Sequence, residues 1–95
     1  MEKNIIVIPT YNEKSNISIL LEKIFTLLPD TRVMVVDDNS PDKTAVAVEA
    51  LKNQYPNLSL LKRSGKEGLG KAYIDGFKKV LENPGFKTIT MMDAD

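Results

Sequence analysis

The chain has no cysteine and no histidine. The first absence excludes disulfides, thiolate metal sites and a cysteine nucleophile; the second excludes imidazole general bases and the serine–histidine pair of hydrolases. Any metal ion held by these residues is therefore bound through oxygen. Net charge is missing as well: 13 basic residues balance 13 acidic ones. No stretch gathers basic residues with aromatics as a nucleic-acid footprint does, so no nucleic-acid partner is expected. No apolar run exceeds strand length, and the apolar part of the opening MEKNIIVIP is too short for a signal peptide or a membrane span. A cytoplasmic location is the default expectation. At 95 residues the chain makes one small domain with a single core, below the usual size of an α/β enzyme.

What is present alternates between two periods. NIIVIP (4–9) is a β-branched run, apolar on both faces and closed by Pro9, which predicts a buried strand. Ile17, Leu20, Leu21, Ile24, Phe25 and Leu28 then form one helical stripe, ended by Pro29 and Asp30. RVMVVDD (32–38) predicts a second strand. In the following NSPDKT, Ser40 reads as an N-cap, Pro41 as the first helical residue and Asp42 as a first-turn acid, with the helix running to about Tyr55. LSLLK (58–62) is a third strand; Leu69, Ala72, Tyr73, Gly76, Phe77, Val80 and Leu81 recur at helical spacing; and FKTITMM (86–92) is a fourth strand after NPG. A βαβαβαβ order with short connections predicts an α/β fold, a Rossmann-like parallel sheet covered by helices on both faces.

In such a sheet, ligands bind beyond the carboxyl ends of the strands, near the point where strand order reverses. Those ends carry PTYNE, VVDDNSPD, KRSGKEGLG and MMDAD, so nearly all of the acidic and glycine-rich sequence falls on one edge. PTYNE lacks the G-x-G-x-x-G of a dinucleotide site. It offers Tyr11 for stacking and Glu13 as an acceptor; the plain alternative is a strand stop at Pro9, a turn at Asn12 and a solvated Glu13. Asp37 and Asp38 sit where one side chain points inward and the next outward, and an outward Asp38 accepts from a ribose or base unless it merely caps the next helix with Asn39 and Asp42. GKEGLGKA, with Lys66, Gly68 and Gly70, fits an anion-cradling loop before a helix, or simply a tight turn with close packing; it is not a Walker A sequence. In MDAD, Asp93 and Asp95 are one residue apart, so in an extended segment both carboxylates face one side. Two anions there are costly without a cation, and a hard oxygen-preferring ion such as Mg²⁺ or Mn²⁺ fits; a solvated acidic end is the alternative.

Together PTYNE, VVDDNSPDKT, GKEGLGKAYIDGF and MDAD, in this order and spacing, resemble the N-terminal nucleotide-binding half of family 2 glycosyltransferases. Within that family they look most like dolichol- or polyprenol-phosphate mannose synthases. The resemblance covers essentially the whole chain. It implies a GT-A fold with strand order 3-2-1-4, and a divalent cation (Mg²⁺ or Mn²⁺). The activity it implies is inverting transfer of a mannosyl residue from GDP-mannose to a dolichol or polyprenol phosphate. It also implies that Pro9, Tyr11 and Glu13 contact the nucleotide, with Val36 and Asp38 around base and ribose. Asp93 and Ala94 would lie along the sugar and ribose-phosphate side, and Asp95 would bind the metal, with Asp93 beside it.

Family members continue past the D-x-D with further metal-binding residues, an acceptor pocket, more strands and often membrane-associated helices. The expectation is therefore a chain truncated after that motif, binding nucleotide weakly and not completing transfer alone, with the full-length enzyme on the cytoplasmic face of a membrane. Strand four would be an open edge favouring self-association. Other readings are a family 2 transferase using a UDP-sugar, a non-catalytic nucleotide-binding module, and a receiver-type signalling domain suggested by MVVDDNS. The last leaves PTYNE and GKEGLG unexplained.

Overall fold

The computed structural model of the chain describes residues 4–63, 69–82, 88–92 and 94. Seven elements follow one another: β1 (Asn4–Thr10), α1 (Lys14–Leu27), β2 (Arg32–Asp37), α2 (Thr44–Leu51), β3 (Leu58–Lys62), α3 (Leu69–Leu81) and β4 (Thr88–Met91). The strands form one sheet in the order β3-β2-β1-β4, every neighbouring pair parallel. This is the expected α/β sheet and strand order.

The alternation of β-branched residues along β1 and β2 feeds two cores at once. Ile6, Ile8, Val33 and Val35 pack with Ile17, Leu21, Ile24 and Phe25 of α1 and Val48 of α2 on one face. Ile5, Val7, Met34 and Val36 pack with Val80 of α3 on the other. Such two-sided burial needs both faces covered, and the crossover helices supply this: the connections from β1 to β2 and from β2 to β3 step one way, and α3 returns across the opposite face to reach β4. Gly76 sets how close α3 lies. A Cβ there would stand 2.7 Å from Val7 Cγ1 and 3.1 Å from Val36 Cγ2, closer than the core admits without a shift.

α2 departs from the expectation. It spans Thr44–Leu51 instead of starting at Pro41 and reaching Tyr55, and its N-cap is Lys43, in the left-handed region at φ 67°. The reason is tertiary. Ser40 does not cap the helix, because its hydroxyl donates to Asp37 Oδ1 (2.6 Å) and accepts from the Asn12 N–H (2.9 Å). Tyr55, beyond the helix, stacks on Phe25 with ring centroids 4.7 Å apart. α1 begins three residues before its first apolar stripe residue. Among the described residues β4 is the outer strand beside β1, and its Met91 is exposed.

Candidate functional site

The carboxyl ends of β1 and β2 are built around two adjacent aspartates that the pleat sends to opposite faces of the sheet. Asp37 turns toward the α1 and α2 side and is 1% exposed. Its Oδ1 accepts from the Thr10 hydroxyl (2.7 Å) and the Ser40 hydroxyl, and its Oδ2 accepts from the Ser40 N–H (3.0 Å). Three donors on one buried carboxylate offset its desolvation and weld the ends of two strands together. Asp38 turns toward α3, and the outward side chain expected from the sequence is instead 4% exposed. Its Oδ1 accepts from Arg63 Nη1 at 2.8 Å, and Arg63 Nε donates to Asp75 Oδ2 of α3, also at 2.8 Å. A charge that leaves water in this way needs a partner, and Arg63 supplies it.

The two βα loops clamp each other. The N–H of Asn12 donates to Ser40 Oγ (2.9 Å), that of Glu13 to Thr44 Oγ1 (3.1 Å) and that of Lys14 to Asp42 Oδ2 (3.1 Å). In return Asn12 Oδ1 accepts from the Asp42 N–H at 3.3 Å. Three consecutive donors at the start of α1 are thereby satisfied by side chains of the β2–α2 loop and of the first residue of α2, the task an N-cap residue usually performs locally. Thr44, fully buried, also donates its hydroxyl to Asp42 Oδ1. Desolvation pushes the Asp42 carboxyl up, but hydrogen bonds from Thr44 and from the Lys14 N–H, with the Lys14 charge, hold it below the ordinary value of 3.8. Among the described residues, the non-glycine ones with positive φ, Asn12 (57°), Asn39 (59°) and Lys43 (67°), all lie in these two loops. Strain gathered in two facing loops marks a surface whose shape matters.

The sheet register sets the ends of β1 and β2 side by side. Pro9 pairs with Val36 and Thr10 with Asp37, the Asp38 N–H donates to Thr10 O at 3.0 Å, and β4 is drawn in by Met92 N–H donating to Val7 O at 3.1 Å. Pro9 and Val36 are buried, whereas Tyr11 and Glu13 are half-buried. Glu13 Oε2 accepts from Asn16 Nδ2 at 3.3 Å. Ala94 is 8% exposed and joins the core cluster of Ile6 and Ile8, so the β4 end is seated against β1. Gly70 lies in the first turn of α3. Asp93, Asp95, Lys66 and Gly68 lie outside the described residues. Among the described residues no cluster of three or more acidic side chains could hold a metal ion, and no helix is long and apolar enough to cross a membrane.

Sequence reasoning missed Thr10, Ser40 and Thr44 as builders of the loops, and Arg63 and Asp75 as partners of Asp38. The register of the folded sheet accounts for Arg63: Asp37 pairs with Lys62 at the last rung, so Arg63, one residue past β3, falls beside Asp38, one residue past β2.

A parallel sheet reversing at β1, with acidic and aromatic residues at the carboxyl ends of its strands, is the architecture of a nucleotide-binding α/β domain. Residues 5–95 match the family model described as Glycosyl transferase family 2, and the chain belongs to that family. It is 40% identical over 89 residues to an undecaprenyl-phosphate mannosyltransferase of Micrococcus luteus, covering 94% of this chain and 36% of that protein. It is 35% identical over 95 residues to a polyprenol monophosphomannose synthase of Mycolicibacterium smegmatis, covering 99% and 36% respectively. Among solved structures, the mannosyltransferase PcManGT of Pyrobaculum calidifontis, in complex with GDP-Man and Mn²⁺, superposes with a TM-score of 0.82 at 26% identity. That match covers 98% of this chain and 27% of the other. The chain thus spans little more than a third of the length of the two curated relatives and about a quarter of the solved one.

Proposed function

We propose that residues 1–95 are the donor-binding part of an inverting glycosyltransferase that moves a mannosyl residue from GDP-mannose to a dolichol or polyprenol phosphate. The observation that carries this reading is the convergence of PTYNE and VVDD at neighbouring strand ends, in register through Pro9–Val36 and Thr10–Asp37, with PTYNE on the strand where the sheet order reverses toward β4. The mannosyl donor and lipid-phosphate acceptor are read from relatives named for polyprenol- and undecaprenyl-phosphate mannosyl transfer, and from a neighbour bound to GDP-Man.

In this reading Tyr11 and Glu13, half-buried at the rim, contact the nucleotide, and Asp38 accepts from its base or ribose. Asp38 Oδ1 accepts from Arg63 Nη1, and a carboxylate carries roughly four acceptor positions in all. Asp93 and Ala94 lie along the sugar side. The chain offers oxygen donors and neither thiol nor imidazole, which suits a hard ion, Mg²⁺ or Mn²⁺. Asp95, with Asp93, is the pair assigned to hold it. When bound, such an ion supplies positive charge to the diphosphate as it leaves. The acceptor phosphate is already an anion, so a strong general base is less necessary than for a sugar hydroxyl.

The test is calorimetric titration of GDP-mannose into the chain and into Asp95→Ala, each with and without Mn²⁺. The reading expects binding that strengthens with Mn²⁺ in the wild type only. Equal affinity in all four titrations removes the metal role, and no heat in any of them removes the donor site.

A further inference from the structure

We infer that Arg63 is a positioning residue for nucleotide selection, fixing the Asp38 carboxylate against α3 through Asp75; this rests on the reading of Asp38 as the base or ribose acceptor. The geometry is a fork. Nη1 takes Asp38 Oδ1 and Nε takes Asp75 Oδ2, each at 2.8 Å, while the Arg63 N–H donates to Asp37 O at 2.8 Å and extends the β2–β3 ladder by one rung. The side chains of Arg63 and Asp38 are 6% and 5% exposed, that of Asp75 30%. The backbone of Arg63 is thus pinned to β2 and its head to α3, and Asp38 is held between them. Only a planar guanidinium with donors on different edges makes both contacts; an ammonium is a single point on a flexible stem.

Stability alone accounts poorly for this arrangement. A buried ion pair contributes little over well-packed apolar residues of the same volume, because desolvation cancels most of the attraction. What it does provide is direction. An acceptor aimed at a hydroxyl or ring N–H discriminates between ligands only if its own rotamer is fixed, and here two secondary-structure elements fix it. Asp37, one residue earlier, is held by Thr10 and Ser40 alone and faces the other side of the sheet. The pair of aspartates is therefore divided: Asp37 shapes the loops, and Asp38, through Arg63, reads the ligand.

The experiment compares GDP with its 2′-deoxy and inosine counterparts by calorimetry, with Mn²⁺ present, in wild type, Arg63→Lys and Asp75→Asn, with thermal melts alongside. A well-aimed bond to a charged acceptor predicts a wild-type preference of about tenfold or more for GDP over at least one analogue. Arg63→Lys should bring that preference to within about twofold, with Asp75→Asn intermediate. A merely structural role weakens all three ligands by one factor and leaves the preference intact, which overturns the inference alone. Failure of the wild type to bind any of the three overturns the donor-site reading and this inference with it. If Arg63→Lys does not fold, Asp75→Asn decides, since it leaves the Asp38–Arg63 bond in place.

Discussion

Replacing Asp37 by asparagine tests whether the two loops are held by one buried carboxylate. In the wild type its Oδ1 accepts two hydroxyls and its Oδ2 accepts the Ser40 N–H. An amide presents one acceptor and one donor. With the amide NH₂ toward Ser40 N–H, two donors face each other. Flipped, NH₂ meets the hydroxyls of Thr10 and Ser40, and the Ser40 oxygen already accepts from Asn12. Either way at least one buried or half-buried polar group loses its partner, at a cost of about 1–3 kcal/mol. For a domain of this size a loss of about 2 kcal/mol lowers the melting temperature by roughly 8–16 °C. Urea denaturation gives the free energy and a scanning melt the temperature. Affinity for GDP-mannose should fall with it, because Asn12 and Glu13 are positioned through Ser40 and Thr44. A change below about 0.5 kcal/mol would mean that water or neighbouring groups replace the lost acceptor, and the loop network would not be organised as described.

Gly76→Ala should destabilise by about 1–2 kcal/mol in urea denaturation: overpacking against Val7 and Val36 outweighs the gain of about 1 kcal/mol in helix propensity. A stabilised variant would mean that α3 moves off the sheet without loss. Thr44→Val keeps the shape but strands the Glu13 N–H and removes a donor from Asp42, which should cost about 1–3 kcal/mol; a neutral result in the same denaturation would contradict the clamp. The lowered value of the Asp42 carboxyl makes its contribution present above the ordinary carboxylate value and lost as pH falls through the lowered one. Asp42→Asn should therefore separate from wild type near neutrality and converge with it in strong acid, as read by melts across pH; a constant gap would exclude the charge as the cause.

The sheet was legible because its signals are local. The β-branched runs of β1 and β2, apolar on both faces, require a parallel sheet with helices on either side, and the apolar stripes of α1 and α3 mark their registers. The start of α2 was not, since Ser40 and Pro41 form a capping pattern that the chain uses otherwise. Ser40 is claimed by Asp37 and by Asn12, 28 residues away, and such tertiary bonds outcompete a local cap. Asp38 was expected to face outward because period-two reasoning gives the side of the sheet and not whether that side is covered. Arg63, 25 residues on, covers it. The placing of PTYNE and VVDD on one sheet edge followed from element order, and the strand order 3-2-1-4 from the family resemblance, while the loop-to-loop clamp follows from hydrogen bonds between side chains and backbone that no periodicity encodes.

The most direct measurement is a side-by-side calorimetric titration of the chain with GDP-mannose and UDP-glucose in Mn²⁺. GDP-mannose should bind saturably and more tightly than UDP-glucose, and Asp38→Ala should abolish its binding. Equal or tighter binding of UDP-glucose would contradict the mannosyl-donor assignment, and binding of GDP-mannose untouched by Asp38→Ala would contradict the site itself.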